Sequence, residues 1–179
     1  MSAPYAIRVV GDPVLRSPAA EITDIDGKLV KLAHDMLETM YEAPGLGLAA
    51  PQVGVGKRLF VYDLDPDERT SPHVLVNPRI VESEGEWSYE EGCLSIPGLS
   101  FEIIRPKVVH LVGLDLEGNE VSVEADELTA RLFQHELDHL DGVLMTERMD
   151  PDTKKRALKE IRRIAERVEG PRERAGFFS

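Results

Sequence analysis

Apolar side chains recur every three to four residues in three stretches of the chain, and this spacing predicts three amphipathic helices. The first helix is predicted over 28–42, with Asp26 as a suitable N-cap residue. The second is predicted over 126–140 and ends at the pair Asp141-Gly142. The third is predicted to begin at Asp150, which is also a good N-cap residue.

Runs of β-branched and alternating apolar residues predict four strands. They cover 58–64, 74–81, 108–116 and 121–123. The last two flank the turn sequence Glu117-Gly118-Asn119 and are predicted to form a hairpin, whereas the glycine- and proline-rich stretch 45–56 is predicted to be irregular. Because helices and strands do not alternate regularly, the pattern favours an α+β fold with antiparallel sheets over a parallel doubly wound fold.

Composition limits the class of protein. The chain has 179 residues, 42% of them hydrophobic and 30% charged, which is typical of one globular domain. Its longest uncharged stretch, 43–56, has 14 residues and is interrupted by glycine and proline, so no membrane-spanning helix is expected. The N-terminus resembles neither a signal peptide nor a transit peptide. A single cysteine cannot form an internal disulfide, and a reducing cytoplasm is therefore the expected location.

The net charge of −12 makes the chain a poor general binder of nucleic acid, and no sequence-specific binding is expected. The third predicted helix is the exception to this acidic balance, because residues 154–174 contain nine basic and four acidic residues. This helix has Pro151 at its first position and is predicted to end at Gly170-Pro171. Its basic residues indicate either a solvated face with ion pairs or a docking surface for an anionic partner.

The strongest chemical signal is the sequence His135-Glu136-Leu137-Asp138-His139 in the second predicted helix. Two histidines four residues apart point the same way, so both imidazoles can reach one divalent metal. Glu136 lies beside them and can accept a proton from water at that metal.

A catalytic site of this kind usually needs a third protein ligand. Met145 stands where some metalloproteases place a third histidine, and methionine is a poor ligand for such metals. His34, His73 and His110 are candidates, but no motif surrounds any of them. Cys93 is the better candidate, because Cys-His-His is a known catalytic ligand set and a thiolate favours zinc, iron(II) or cobalt over magnesium. A buried apolar cysteine and a nucleophilic cysteine are the alternatives.

Four segments together resemble the peptide deformylase family. They are Gly11–Arg16, Gly45–Gln52, Glu91–Ser95 and Gln134–His139, in the order and roughly the spacing of that family. The resemblance implies an α+β fold in which antiparallel sheets pack around a central metal-binding helix. It also implies removal of the formyl group from the N-terminal formylmethionine of newly synthesised polypeptides, with formate as the second product.

The resemblance also implies a role for particular residues. The metal ligands would be Cys93, His135 and His139, and Glu136 would be the general acid and base. Gln52 and the backbone N–H of Leu94 would stabilise the oxyanion. The physiological metal of the family is usually iron(II), whereas zinc, nickel or cobalt can occupy the site in purified protein.

Other residues are expected to bind the substrate. Gly45 and Gly47 lack a Cβ atom, so an extended peptide can approach their backbone closely. Leu128, Arg131 and Leu132 share the helix face of His135 and are expected to line the methionine pocket, although ordinary core packing explains the two leucines equally well. Arg131 departs from the apolar residue of many relatives, and its stem is expected to line the pocket while its guanidinium reaches solvent.

The predicted organisation is a catalytic region, 1–148, followed by a basic helix and tail, 149–179, in the same domain. In some bacterial relatives such a helix docks on the ribosome, and Lys154, Lys155, Arg156, Lys159, Arg162 and Arg163 are the candidate contacts here. Two other hypotheses remain open. The histidine-glutamate helix is compatible with a metalloprotease, and the chain is compatible with a metal-stabilised ribosome-binding module without enzymatic activity.

Overall fold

The computed structural model describes residues 3–177, in which seven strands and three helices follow each other. The helices are α1 (Gly27–Glu42), α2 (Glu127–Leu140) and α3 (Pro151–Phe177). The strands are β1 (Gly47–Ala49), β2 (Leu59–Tyr62), β3 (His73–Glu84), β4 (Trp87–Cys93), β5 (Ile96–Arg105), β6 (Val108–Leu114) and β7 (Glu120–Asp126). Single 3-10 turns lie at Pro13–Arg16, Ala50–Val53 and Met145–Arg148.

The strands form two separate antiparallel sheets. The larger sheet has the order β1-β2-β3-β6-β7, and β4 pairs only with β5 in a hairpin. Strand β1 therefore lies at one end of the large sheet, and both strands of the hairpin are edge strands. The α+β class with antiparallel sheets is confirmed.

Helices α1 and α2 pack with the large sheet and build the core. Helix α1 begins where the Asp26 side chain accepts a hydrogen bond from Leu29 N–H at 2.9 Å. It buries Leu29, Met36 and Met40 against apolar residues of β1 and β2. Helix α2 buries Phe133 beside Phe60 of β2. Both helices lie where their apolar spacing predicts them.

Helix α2 ends at a close contact with the N-terminal segment. Gly142 has a φ of +73°, and a Cβ atom there would lie 2.8 Å from the carbonyl group of Arg16. Only glycine allows both the left-handed backbone and this approach. The predicted stop at Asp141-Gly142 is thus confirmed, and the contact fixes the end of the helix that carries the histidines.

One hairpin was missed from the sequence, and two predictions about the chain path are wrong. The hairpin of β4 and β5 was not predicted, and the stretch 45–56, predicted to be irregular, contains β1. Helix α3 starts at Asp150 and Pro151 as predicted but continues through Gly170-Pro171 to Phe177, so its predicted end is wrong. Among the residues described, no helix is both long and apolar enough to cross a membrane.

Candidate metal centre

The side chains of Cys93, His135 and His139 meet at one point of the structure. Nε2 of His139 lies 3.4 Å from Sγ of Cys93 and 3.2 Å from Nε2 of His135. One ligand atom from each of the three side chains lies within 4.8 Å of the other two. A thiolate and two imidazoles fit a soft or borderline divalent metal, and the trio leaves room in the coordination sphere for a water or a substrate oxygen.

This arrangement depends on two elements that are distant in sequence. Helix α2 places the two histidines one turn apart, and β4 ends at Cys93, where the hairpin turns back into β5. Burial opposes ionisation of the Cys93 thiol, but the neighbouring charges of His139 and His135 outweigh it and hold the thiol pKa well below its usual range. A lowered pKa favours the thiolate, which is the form of cysteine that binds a metal.

The three other candidate histidines lie elsewhere. His73 stacks on Tyr62 with a ring separation of 4.7 Å, and His110 lies 2.6 Å from Oγ of Ser122 on the exposed face of the sheet. His34 is exposed on α1. Within residues 3–177, the group of Cys93, His135 and His139 is the one that can close around an ion. Cys93 was thus the better choice of third ligand.

A buried carboxylate holds the first histidine. Oε2 of Glu91 lies 2.8 Å from Nδ1 of His135, and it also accepts a hydrogen bond from Arg105 at 2.8 Å. Burial opposes ionisation of Glu91, but the hydrogen bonds and charges of His135 and Arg105 outweigh it and hold its pKa far below its usual range. An ionised carboxylate on Nδ1 fixes the ring orientation and leaves Nε2 free to bind metal.

Arg105 joins the strand that carries the cysteine to the helix that carries the histidines. Its Nε and Nη2 donate to Glu91 of β4, and its Nη1 donates to Asp138 of α2 at 2.8 Å. All three side chains are buried. Neither Glu91 nor Asp138 was recognised as a functional residue in the sequence. Glu91 and Asp138 lie within two residues of metal ligands in the sequence. This position indicates a role only when it is known that both side chains meet Arg105.

Glu136 lies on the cavity side of the ligands and is almost entirely buried. Its Oε2 has no hydrogen-bond partner among the residues described. Burial raises its pKa, opposed by the charges of His135 and His139. A buried carboxylate without a partner beside two metal-ligating imidazoles is suited to exchange a proton with a molecule bound at the metal.

Gln52 lies on the other side of Cys93. Its Oε1 accepts a hydrogen bond from Ala49 N–H at 2.9 Å, and this bond fixes the direction of the amide. Its Nε2 then points toward Ser95 Oγ at 3.1 Å and Cys93 Sγ at 3.8 Å. The side chain is 1% exposed. The 3-10 turn that follows β1 therefore presents a fixed N–H donor beside the thiol.

A cavity of about 530 Å³ opens beside these residues. Its two long walls are the segment 44–47, which leads into β1, and the stretch 89–94 of β4 and the following turn. The lining includes the predicted substrate-binding residues Gly45, Gly47, Leu128, Arg131 and Leu132, together with Gln52, Leu94 and Glu136. In the residues described, no strand pairs with the outer edge of β1 or β4.

The expected orientation of Arg131 is wrong. Its side chain is 3% exposed, and the guanidinium is buried instead of reaching solvent. Nη1 donates to Glu91 at 2.9 Å, Nη2 donates to the carbonyl oxygen of Trp87 at 2.6 Å, and the group lies over the rings of Trp87 and Tyr89. The ionised Glu91 supplies the counter-charge that a buried arginine requires, and sequence spacing does not reveal such a partner.

The basic residues of α3 lie away from the cavity. Lys155, Arg156, Lys159, Arg162 and Arg163 are exposed and Lys154 is half-buried. Arg163 pairs with Glu160 at 2.9 Å, as expected for a solvated face with ion pairs. The opposite face of the helix buries Thr153 and Ala157, and Ala157 packs with Ile103 of β5.

Known proteins share both the sequence and this architecture. A model of the polypeptide deformylase family matches residues 4–155. A peptide deformylase of Acidothermus cellulolyticus is 50% identical over 156 residues, which cover 87% of this chain and 84% of that protein. The crystal structure of a peptide deformylase from Legionella pneumophila superimposes with a TM-score of 0.86 at 37% identity, covering 93% of this chain and 97% of the other. That from Thermus thermophilus gives 0.81 at 44% identity, covering 94% and 96%.

Proposed function

The chain belongs to the peptide deformylase family and is a metal-dependent hydrolase that removes the N-formyl group from nascent peptides, and we propose that Cys93, His135, His139 and Glu136 carry this reaction. One observation supports the assignment above the others. The three potential ligands meet beside a buried, unpartnered carboxylate at the wall of a cavity large enough for a peptide end. This pattern does not favour a closed structural site, which would use four protein ligands.

The proposed cofactor is one divalent metal on Cys93, His135 and His139, with iron(II) as the physiological ion. Zinc, nickel or cobalt would replace it in purified protein. A thiolate and two imidazoles suit all four ions, whereas magnesium and calcium prefer oxygen ligands. Such an ion, when bound, supplies the Lewis acidity that makes a hydroxide nucleophile available near pH 7.

Glu136 is the proposed proton carrier. Its Oε2 accepts the proton of the attacking water and then delivers it to the amine nitrogen that leaves when the formyl C–N bond breaks. Burial supports the first half of this role, because it raises the carboxyl pKa and makes Glu136 a better acceptor for the proton of the water. Formate and a free α-amino group are the products.

Gln52 and the backbone N–H of Leu94 are the proposed donors to the oxygen that becomes negative in the transition state. Gln52 supports this role because Ala49 N–H fixes its amide before any substrate arrives, so no reorganisation is needed. Leu94 follows Cys93 directly and also lines the cavity.

The substrate is proposed to lie extended between the edges of β1 and β4. Both edges offer backbone N–H and C=O groups, which gives affinity without reading most of the sequence. Gly45 and Gly47 have no side chains, so the peptide can approach the backbone of this wall closely. Leu128, Leu132 and the stem of Arg131 receive the methionine side chain.

The decisive experiment measures formate release from a short formyl-Met peptide by anaerobically iron-loaded protein and its Glu136→Ala variant. We expect release by the wild type and a fall of about 10²- to 10⁴-fold in the variant at equal metal content. Cleavage of internal peptide bonds without formate would favour the protease hypothesis. Metal binding with neither product would favour the binding module.

We also propose that the enzyme works in the cytoplasm, which the single cysteine favours. The exposed basic residues of α3 support the further proposal that it docks on the ribosome. We expect Lys155, Lys159 and Arg162, all changed to glutamate, to weaken co-sedimentation with ribosomes. The matched control changes Lys28, Lys31 and Lys57, which are exposed elsewhere, to glutamate. Both variants then have the same net charge. Equal loss in both variants would show a general charge effect, and no loss in either would contradict docking by α3.

A further inference from the structure

Arg148 holds a carboxylate that lies between the two histidine ligands in sequence. It is the last residue of the 3-10 turn that precedes α3, and its side chain is 49% exposed. Nη2 of Arg148 donates to Oδ1 of Asp138 at 2.8 Å, and Nε donates to Oδ2 at 3.1 Å. This two-pronged contact is the geometry in which an arginine restrains a carboxylate most strongly.

The same carboxylate continues the contact inward. Oδ2 of Asp138 accepts a second hydrogen bond from Nη1 of Arg105, and the other two donors of Arg105 engage Glu91. Glu91 in turn holds Nδ1 of His135. An unbroken series of ion pairs and hydrogen bonds therefore runs from Arg148 at the surface through Asp138, Arg105 and Glu91 to the metal ligand His135.

The second histidine has no such support. Nδ1 of His139 is buried and has no hydrogen-bond partner among the residues described. The orientation of the ligand set relative to β4 thus depends on the His135 branch and on the Arg105 bridge. A movement of Arg105 would disturb Glu91, because two of its three nitrogens donate to Glu91 and the third donates to Asp138.

We propose that Arg148 is a positioning residue of the metal centre, which acts on His135 through Asp138, Arg105 and Glu91. This inference rests on the proposed function, since it assumes that a metal binds at Cys93, His135 and His139. Without Arg148, Oδ1 of Asp138 loses its charged partner, and Asp138 is free to rotate with Arg105. The Glu91 carboxylate then holds the imidazole less firmly, and metal binding weakens.

Direct partners of metal-ligating histidines change metal affinity by about 10- to 100-fold when they are removed. Arg148 acts from further away, so we expect a smaller loss of about three- to tenfold in metal affinity for Arg148→Met. The fall in kcat should exceed any change in KM, because Arg148 is absent from the wall of the substrate cavity. Arg148→Lys keeps the charge and one hydrogen bond and should restore part of both losses.

The test uses full-length protein loaded with cobalt(II), whose absorption reports both the thiolate bond and the coordination geometry. Cobalt affinity is measured by competition with a chelator, next to kcat, KM and the free energy of unfolding. Glu147→Gln is the matched control. Glu147 precedes Arg148 in the same turn, and its side chain pairs with Arg16 at 3.4 Å. This ion pair does not include Asp138.

Weaker cobalt binding and a shifted spectrum in Arg148→Met, partial recovery in Arg148→Lys and no change in Glu147→Gln would support the proposal. A variant that is less stable but keeps the cobalt affinity and spectrum would overturn it, because Arg148 would then be only structural. Equal effects in Arg148→Met and Glu147→Gln would overturn it as well. Failure of the wild type to bind cobalt or release formate would instead contradict the proposed function.

Discussion

Glu136 packs directly against the backbone of Gly47. A Cβ atom at position 47 would lie 3.0 Å from Oε1 of Glu136 and 3.0 Å from Cδ1 of Leu132. The first wall of the cavity and the proposed proton carrier therefore touch, and the absence of a single methyl group lets them do so.

We expect Gly47→Ala to displace the Glu136 carboxylate by a few tenths of an ångström and to lower kcat by about tenfold, since small misplacements of catalytic groups are costly. Stability should change little, because a flexible side chain can absorb the contact. Gly56→Ala is the control, as a Cβ atom there meets nothing within 4 Å. Kinetics with a formyl-Met peptide and urea unfolding measure both effects, and an unchanged kcat in Gly47→Ala would refute the expectation.

Gln52→Glu tests the oxyanion donor with minimal change of shape. Glutamate still accepts the hydrogen bond from Ala49 N–H but replaces the Nε2 donor with an acceptor. We expect kcat to fall by about 10²- to 10³-fold at unchanged metal content. Ser95→Ala removes the neighbour of Nε2 and keeps the donor, so its effect should be much smaller. Similar losses in the two variants would mean that Gln52 acts only through Ser95.

Glu91→Gln should weaken the metal centre and the fold together. The amide retains the shape of the side chain but leaves two buried arginines, Arg105 and Arg131, without their shared negative charge. We expect a loss of about 10- to 100-fold in metal affinity and of about 3–5 kcal/mol in the free energy of unfolding. The neighbouring Glu90 is exposed, and Glu90→Gln is the matched control. Chelator competition and denaturant unfolding test the pair, and equal results for Glu90→Gln would count against a special role of Glu91.

Tyr41 and Asp63 predict how stability depends on pH away from the metal. The hydroxyl of Tyr41 donates to Oδ2 of Asp63 at 2.7 Å. Burial opposes ionisation of Asp63, but this bond and the N–H groups of Asp65 and Ser71 lower its pKa. A lowered carboxyl pKa contributes stability above the unfolded value near 4, and this contribution is lost as the pH falls through the folded value.

We therefore expect Tyr41→Phe to cost about 1 kcal/mol at pH 7 and to unfold at a higher pH during acid titration than the wild type. The difference between the two proteins should shrink below pH 4. At the alkaline end, burial and the bond to Asp63 raise the pKa of Tyr41 to about 12, so the wild type loses this contribution only as the pH rises from about 10 toward that value. Urea unfolding at several pH values measures the difference, and a constant gap across the acid range would disprove the coupling.

The parts of the structure that depend on regular spacing were predictable from the sequence. Helices α1 and α2 follow from apolar periodicity, and two histidines on one face of α2 follow from their separation of four residues. Cys93 required one chemical argument, that a catalytic metal needs a third ligand.

The remainder was not predictable because it depends on charged residues that are buried. Strand β4 carries Glu91 toward the interior, which breaks the alternation that identifies a strand with one apolar face. Arg131 has the spacing of a pocket residue, but its guanidinium turns inward because Glu91 lies there. Such partners are separated by 40 residues, and no local pattern connects them.

The proposed path of the substrate, between the edges of β1 and β4, has a consequence for timing. A peptide can occupy the space between them only if its own N–H and C=O groups are free. A protein whose first residues already belong to a helix or to a sheet cannot offer those groups and cannot bring its formyl group to the metal. On this proposed path the cleft would select N-termini that are still extended, and we therefore expect formyl removal to come before the N-terminal segment of a new protein folds.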